Sequence, residues 1–172
     1  MLRSIAAALV VVAAFALPAA AAEITFEPED SGQIEFTMPS GNVGCLYTPE
    51  GGTEVYEPVD GGPELICERV EPSYVTVILG PDGEPQLIED PGEQSCCGAT
   101  NIFAYGDVLE LDGFICWSEK TGLACTRSAD GAGFSMARAG VELFGPSADD
   151  ADDLDEGDDF YDEGMEDDGE AE

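Results

Sequence analysis

The sequence predicts an all-β fold: a small antiparallel sandwich or barrel stapled by disulfides, followed by a disordered acidic tail. Three observations predict it. Residues 23–148 contain no run of apolar residues at 3.6-residue spacing long enough for a helix. Short apolar runs alternate there with turns rich in Gly, Pro and Asp. Six cysteines in a chain of 172 residues, behind an export signal, read as a disulfide framework in an oxidising compartment.

Residues 1–22 form the signal. Arg3 supplies the positive start, and the apolar run 5–17 is too short for the roughly 20 residues that span a bilayer. Ala20-Ala21-Ala22 offers the small side chains a signal peptidase requires, so Glu23 is the expected first mature residue. The first cysteine is Cys45, which leaves no site for lipid attachment at the cut. The protein is therefore expected to be exported, to the periplasm or the medium. A lead segment, 23–35, precedes the stapled β domain at 36–146, and the tail occupies 147–172.

Strands are expected at 34–38, 43–48, 64–69, 74–79, 86–89, 102–105, 108–111, 114–118, 123–127, 133–138 and 141–144. Between them stand Pro39-Ser40-Gly41-Asn42, Asp60-Gly61-Gly62-Pro63, Pro81-Asp82-Gly83, Asp112-Gly113 and Asp130-Gly131, each a turn-forming cluster. The sequence shows no internal repeat. From Asp149 to Glu172, fifteen of 24 residues are Asp or Glu and none is basic, so self-repulsion and the scarcity of apolar surface predict disorder.

One disulfide follows from register. If 114–118 and 123–127 pair around Glu119-Lys120-Thr121-Gly122, Ser118 faces Leu123, Trp117 faces Ala124, and Cys116 falls opposite Cys125. Opposed residues have Cα atoms about 4.5–5.5 Å apart, within disulfide reach. Gly122 is expected to supply a positive φ to this loop. Cys45 and Cys67 each sit in a strand and flank a Gly-, Pro- and acid-rich loop; closing that ring adds about 3 kcal/mol by the loop-entropy argument. Cys96 and Cys97 remain. A bond between neighbours closes a strained eight-membered ring, and the alternative is that each bonds elsewhere, with Cys45, Cys67, Cys116 or Cys125. A rigid turn is preferred here over a redox or metal switch, and no C-x-x-C is present to support thioredoxin-like exchange.

Pro39-Ser40-Gly41-Asn42-Val43-Gly44-Cys45 resembles the signature of a family of small exported bacterial domains of unknown function. Cys67, Cys96-Cys97-Gly98-Ala99-Thr100, Tyr105-Gly106, Phe114-Ile115-Cys116, Gly122-Leu123-Ala124-Cys125 and 133–138 extend the likeness over about residues 36–144. The chain departs from the pattern at Ala99, where many members carry Asp, and in setting two cysteines side by side that members separate. The resemblance implies that Cys96 and Cys97 pair with each other. It implies no activity and no catalytic residues.

Charge and composition exclude more than they assign. The chain carries 38 acidic against 5 basic residues, a net −33, so it lacks the cations that drive nucleic-acid binding and is repelled by anionic membranes. Without histidine there is no Ser/His/Asp or Cys/His catalysis and no imidazole ligand. Ser40 and Asn42 read as turn residues, not as a nucleophile and oxyanion donor. Trp117 reads as core. Arg138, one of four mature cations with Arg69, Lys120 and Arg127, reads as the answer to several carboxylates. Calcium loops fail in the tail: Gly157 as sixth position puts Leu154 at a ligand site, and Gly164 puts Tyr161 there.

No cofactor, metal or catalytic residue is expected. The leading expectation is a non-catalytic exported acidic domain whose charge keeps it soluble in saline surroundings or mediates contacts. A second is a binding module whose polyanionic tail, anchored by Phe160 and Tyr161, captures a cationic protein or loosely held divalent cations. A third is a carboxylate-dependent hydrolase, which requires a cleft carboxyl with a raised pKa.

Overall fold

The structure, a computed structural model, describes residues 21–93 and 97–146. It contains strands β1 (Glu23–Ile24), β2 (Ile34–Thr37), β3 (Val43–Thr48), β4 (Glu64–Arg69), β5 (Val75–Leu79), β6 (Gln86–Glu89), β7 (Val108–Leu111), β8 (Phe114–Glu119), β9 (Gly122–Arg127), β10 (Gly133–Ala137) and β11 (Gly140–Phe144). No helix occurs among the described residues. One sheet runs β2-β3-β4-β5-β6 and the other β1-β7-β8-β9-β10-β11. Each is an antiparallel meander, with β1 added in parallel to β7. The inner faces share one hydrophobic core, so the all-β disulfide-stapled sandwich is the observed architecture. The tail 147–172, with Phe160 and Tyr161, lies outside the described residues, as do Cys96 and residues 1–20 of the expected signal.

Period-2 alternation builds the two sheets. In β4, Leu65, Cys67 and Arg69 turn inward; in β9, Leu123, Cys125 and Arg127 do the same. Directly paired inner residues form the row Phe36–Cys45–Cys67–Val77–Leu87 across one sheet. The row Leu109–Cys116–Cys125–Phe134–Leu143 crosses the other. The two halves thus share topology and register, a repeat the sequence did not reveal. Its only sequence trace is Leu-x-Cys-x-Arg, at 65–69 and again at 123–127. Unequal loops hide the rest: residues 49–63 separate β3 from β4, whereas 120–121 separate β8 from β9.

Both register-bearing disulfides form as cross-strand pairs, Cys45–Cys67 and Cys116–Cys125, each with Cα atoms 4.1 Å apart. All four sulfurs belong to buried residues at the centre of the inner rows. The β8–β9 turn is tighter than expected, because Glu119 and Gly122 already pair in the ladder. Gly122 is also there for a different reason. Its backbone is nearly extended, and a Cβ would collide with the Met136 carbonyl of β10.

The two sheets are cross-tied at their ends by the arginines that finish the repeated motif. Arg69, 4% exposed, donates from Nη1 to the Ala137 carbonyl just at the end of β10 (2.7 Å). Arg127, 3% exposed, donates from Nη1 to the Gly80 carbonyl just beyond β5 (2.9 Å) and from Nη2 to Gly83 (2.7 Å). In the shared register Gly80 and Ala137 are equivalent positions, so the exchange is reciprocal. Arg127 is further held by Asp130, which accepts from Nε at 2.8 Å and from Nη2 at 2.6 Å. Arg69 donates from Nη2 to the Ser73 carbonyl and hydroxyl.

The expected strand at 102–105 does not form. Ile102 makes a single parallel bridge to Thr37, where the Thr37 amide donates to Asn101 and the Phe103 amide donates to Thr37. The chain must then turn at Tyr105-Gly106 to enter β7, with Gly106 at φ 96°. This segment covers the free edge of β2, and the Ser118 hydroxyl of β8 donates to the Phe103 carbonyl (3.0 Å), joining the sheets on that side. Phe103 packs edge-on against Phe36, which in turn stacks on Phe26 from the lead segment.

Two stability measurements check this scheme. Replacing Cys45 and Cys67 together by Ala is expected to cost about 3 kcal/mol, and Cys116 with Cys125 about 2.5 kcal/mol, because the first ring is longer. Urea unfolding that ranks them in the opposite order by more than about 1 kcal/mol would contradict the entropic account. Arg127→Met strands two carbonyls and the Asp130 carboxylate, for an expected loss of about 3 kcal/mol.

Candidate functional site

The sequence-predicted residues distribute unevenly among three of the concave surfaces of the described residues. The first sits at one end of the sandwich. The β2–β3 turn brings Ser40 and Asn42 there, the β8–β9 turn brings Lys120, and Arg138 comes from the β10–β11 turn. With Met38 and Tyr105 they line a cleft of about 270 Å³. Here the turn reading of Ser40 and Asn42 is what the geometry carries. The Ser40 hydroxyl accepts from the Asn42 amide (3.3 Å), and Gly41 takes φ 66°. Asn42 Nδ2 donates to the Glu71 carbonyl (3.1 Å), and its Oδ1 accepts from the Glu71 amide (2.8 Å). A side-chain amide thereby imitates a β-bridge and ties the turn to the segment after β4. Arg138 meets one carboxylate, Glu71, at 3.0 Å on an exposed surface, not the several expected. An exposed pair of this kind contributes little to stability, about 0–1 kcal/mol.

The second surface is a groove of about 400 Å³ on the outer face of the β2–β6 sheet. Glu29, Gln33, Glu35 and Glu68 line it with Gly44, Leu46 and Ile66. Burial raises the Glu35 carboxyl above its ordinary 4.5, and the charge of Glu29 adds to the rise. Cys97 lies over Gly44 beside this groove: a Cβ on Gly44 would stand 3.1 Å from the Cys97 sulfur and amide nitrogen. Cys97 is disulfide-bonded and adopts φ 83°. Its expected partner Cys96 lies outside the described residues. Among the described residues no cluster of three His, Cys, Asp or Glu side chains is placed to hold a metal ion.

The third surface centres on Trp117, which the structure removes from the core. Cys116 must face inward to reach Cys125, so its neighbour on the strand faces outward, and Trp117 is 37% exposed. The inner slot beyond Cys116 goes to Ser118, whose hydroxyl is needed on Phe103. On the outer face Trp117 pairs with Ala124, Ala124 with Ser135, and Ser135 with Glu142. Small side chains next to a large ring leave a trough of about 410 Å³, lined by Trp117, Glu119, Thr121, Gly122, Ala124, Ser135 and Ala137. Three strand spacings separate the Trp117 strand from the Glu142 strand, about 14 Å. The strand carboxylates of this face are Glu23, Glu110, Glu119 and Glu142, and its strands carry no cationic side chain pointing outward. Alternation from Cys116 was the signal in the sequence that placed Trp117 here.

The two carboxyls with opposite shifts predict opposite pH behaviour. Asp130 is held below its ordinary 3.8 chiefly by the Arg127 hydrogen bond, with the Ala132 amide assisting against the effect of burial. Its stabilisation is complete above that ordinary value and is lost as pH falls through the lower folded value. Glu35 behaves in reverse, losing stability as pH rises from 4.5 through its raised folded value. Thermal melts should therefore show Asp130→Asn flattening the acid limb. Glu35→Gln should raise Tm at pH 7 and converge on the parent in acid. An acid limb unchanged in Asp130→Asn would contradict the role given to that pair.

Comparison with known proteins finds no match: no family model, no curated protein and no solved structure matches the chain.

Proposed function

We propose that this chain is an exported, non-catalytic acidic β domain that works by contact, presenting the Trp117 face to another molecule. Kinship with the small exported bacterial domains that carry the Pro-Ser-Gly-Asn signature belongs to the same proposal. The observation that carries the reading is the placement of the chain's one tryptophan on an exposed sheet face, directly beside a buried disulfide. Trp117 and Ala124 alternate with Cys116 and Cys125, so the bond clamps the platform from beneath. A surface held in its bound shape in advance loses less entropy on association. Two disulfides within a domain of this size are compatible with an oxidising, exported location. A second reading, the carboxylate-dependent hydrolase, is favoured by the Glu35 groove; it requires polymer cleavage that Glu35→Gln abolishes.

The test combines thiol status with salt response. The exported chain should react with no thiol reagent before reduction. Its Tm should climb with sodium chloride as self-repulsion is screened, and climb less after removal of residues 147–172. Calcium and magnesium at matched ionic strength should add nothing further. A calcium-specific rise that survives removal of the tail would place a cation site in the core and displace this reading.

A further inference from the structure

We propose that the trough beside Trp117 binds an extended, basic polypeptide segment, with an arginine or lysine side chain lying on the indole face. This rests on the contact reading above and names the chemistry of the partner.

The shape comes first. The trough is floored by Gly122, Ala124, Ser135 and Ala137 and spans β8 to β10, two strand spacings or about 10 Å. That width accepts one extended chain lying along the sheet. Charge then selects the occupant. Residues 23–148 carry 23 acidic and 4 basic side chains, and two of those cations, Arg69 and Arg127, are buried in the cross-sheet ties. Of the other two, Arg138 follows the trough residue Ala137 and is paired with Glu71, and Lys120 stands in the β8–β9 turn between the trough residues Glu119 and Thr121. The trough itself is lined by Glu119, with Glu23, Glu110 and Glu142 farther out on the same face. An anionic ligand is repelled there. A guanidinium or ammonium gains both from the indole quadrupole and from the flanking carboxylates.

The tryptophan is also its own reporter, because it is the only one in the chain. The full chain, tail included, is titrated with a peptide of alternating Arg and Thr and, separately, with the matching Glu-Thr peptide and a neutral chito-oligosaccharide. Indole fluorescence should change saturably with the Arg-Thr peptide alone, and the affinity should fall as salt rises. Calorimetry should then show Trp117→Ala, which leaves the charge untouched, weakening binding about tenfold. Glu119→Gln with Glu142→Gln should weaken it about fivefold at low salt, while Glu54→Gln with Glu57→Gln in the distant β3–β4 loop should not. Equal affinity in Trp117→Ala would overturn the proposal, since binding would then be diffuse attraction to the polyanion. A response to the oligosaccharide alone would also overturn it while leaving a contact role intact. Cleavage of the peptide would overturn the non-catalytic reading itself.

Discussion

The fold depends on an exchange of buried guanidinium groups between its two sheets. Each sheet is a meander whose central strand ends, on the core side, in an arginine. Each arginine crosses to a main-chain carbonyl at the end of the fourth strand of the other meander. Hydrophobic contact between sheets has no direction and fixes neither their relative shift nor their angle. A planar donor fork at each end does, because its hydrogen bonds are made in one arrangement only. Burying a guanidinium is costly unless it is well hydrogen-bonded, and the two ends answer that cost differently. Arg127 has a carboxylate, Asp130, and two carbonyls; Arg69 relies on carbonyls and a hydroxyl, and its Nε lacks a partner among the described residues. The Arg127 end is therefore the tighter tie.

Most strand boundaries were legible because alternation and turn chemistry agree. Residues 43–48, 64–69, 86–89 and 108–111 are strands with the expected limits, six others differ by one residue at one end, and β1 was not expected. Cys116–Cys125 was legible for a stronger reason: a short hairpin leaves its register little freedom. The repeat was not legible, because it resides in register and burial. Its conserved core positions are occupied by different apolar residues, as where Val77 in one half corresponds to Phe134 in the other. Residues 102–105 mislead because an apolar run looks like a strand, whereas here Phe103 alone is buried and Ile102, Ala104 and Tyr105 are exposed on a connecting segment. Trp117 misleads in the converse way. Its size suggests core, but the disulfide next to it fixes which face it takes.

The residues that carry the resemblance in 39–45 are explained by packing and main-chain hydrogen bonding. Asn42 bridges to Glu71, Gly41 supplies a left-handed turn, Gly44 makes room for Cys97, and Cys45 bonds Cys67. Each of these structural requirements narrows the residue its position can take. Asn42 and Ser40 do line the end cleft, yet their polar atoms are already engaged by the turn they build.

The acidity and the bare trough are two parts of one solution. A sheet surface of Gly, Ala and Ser exposes main chain and a flat apolar floor, and the β6 and β11 edges have no strand partner among the described residues. Such surfaces invite pairing with another copy of the same chain. Carboxylates at the borders oppose that association, because every copy carries the same sign at the same place. The repulsion does not apply to a cationic chain, for which the same carboxylates are attractive. In the proposed binding, selectivity for a basic partner over self would require no additional device. It would follow from a floor of small residues, carboxylates on the surrounding face, and the single large aromatic ring at one border beside the Cys116–Cys125 bond.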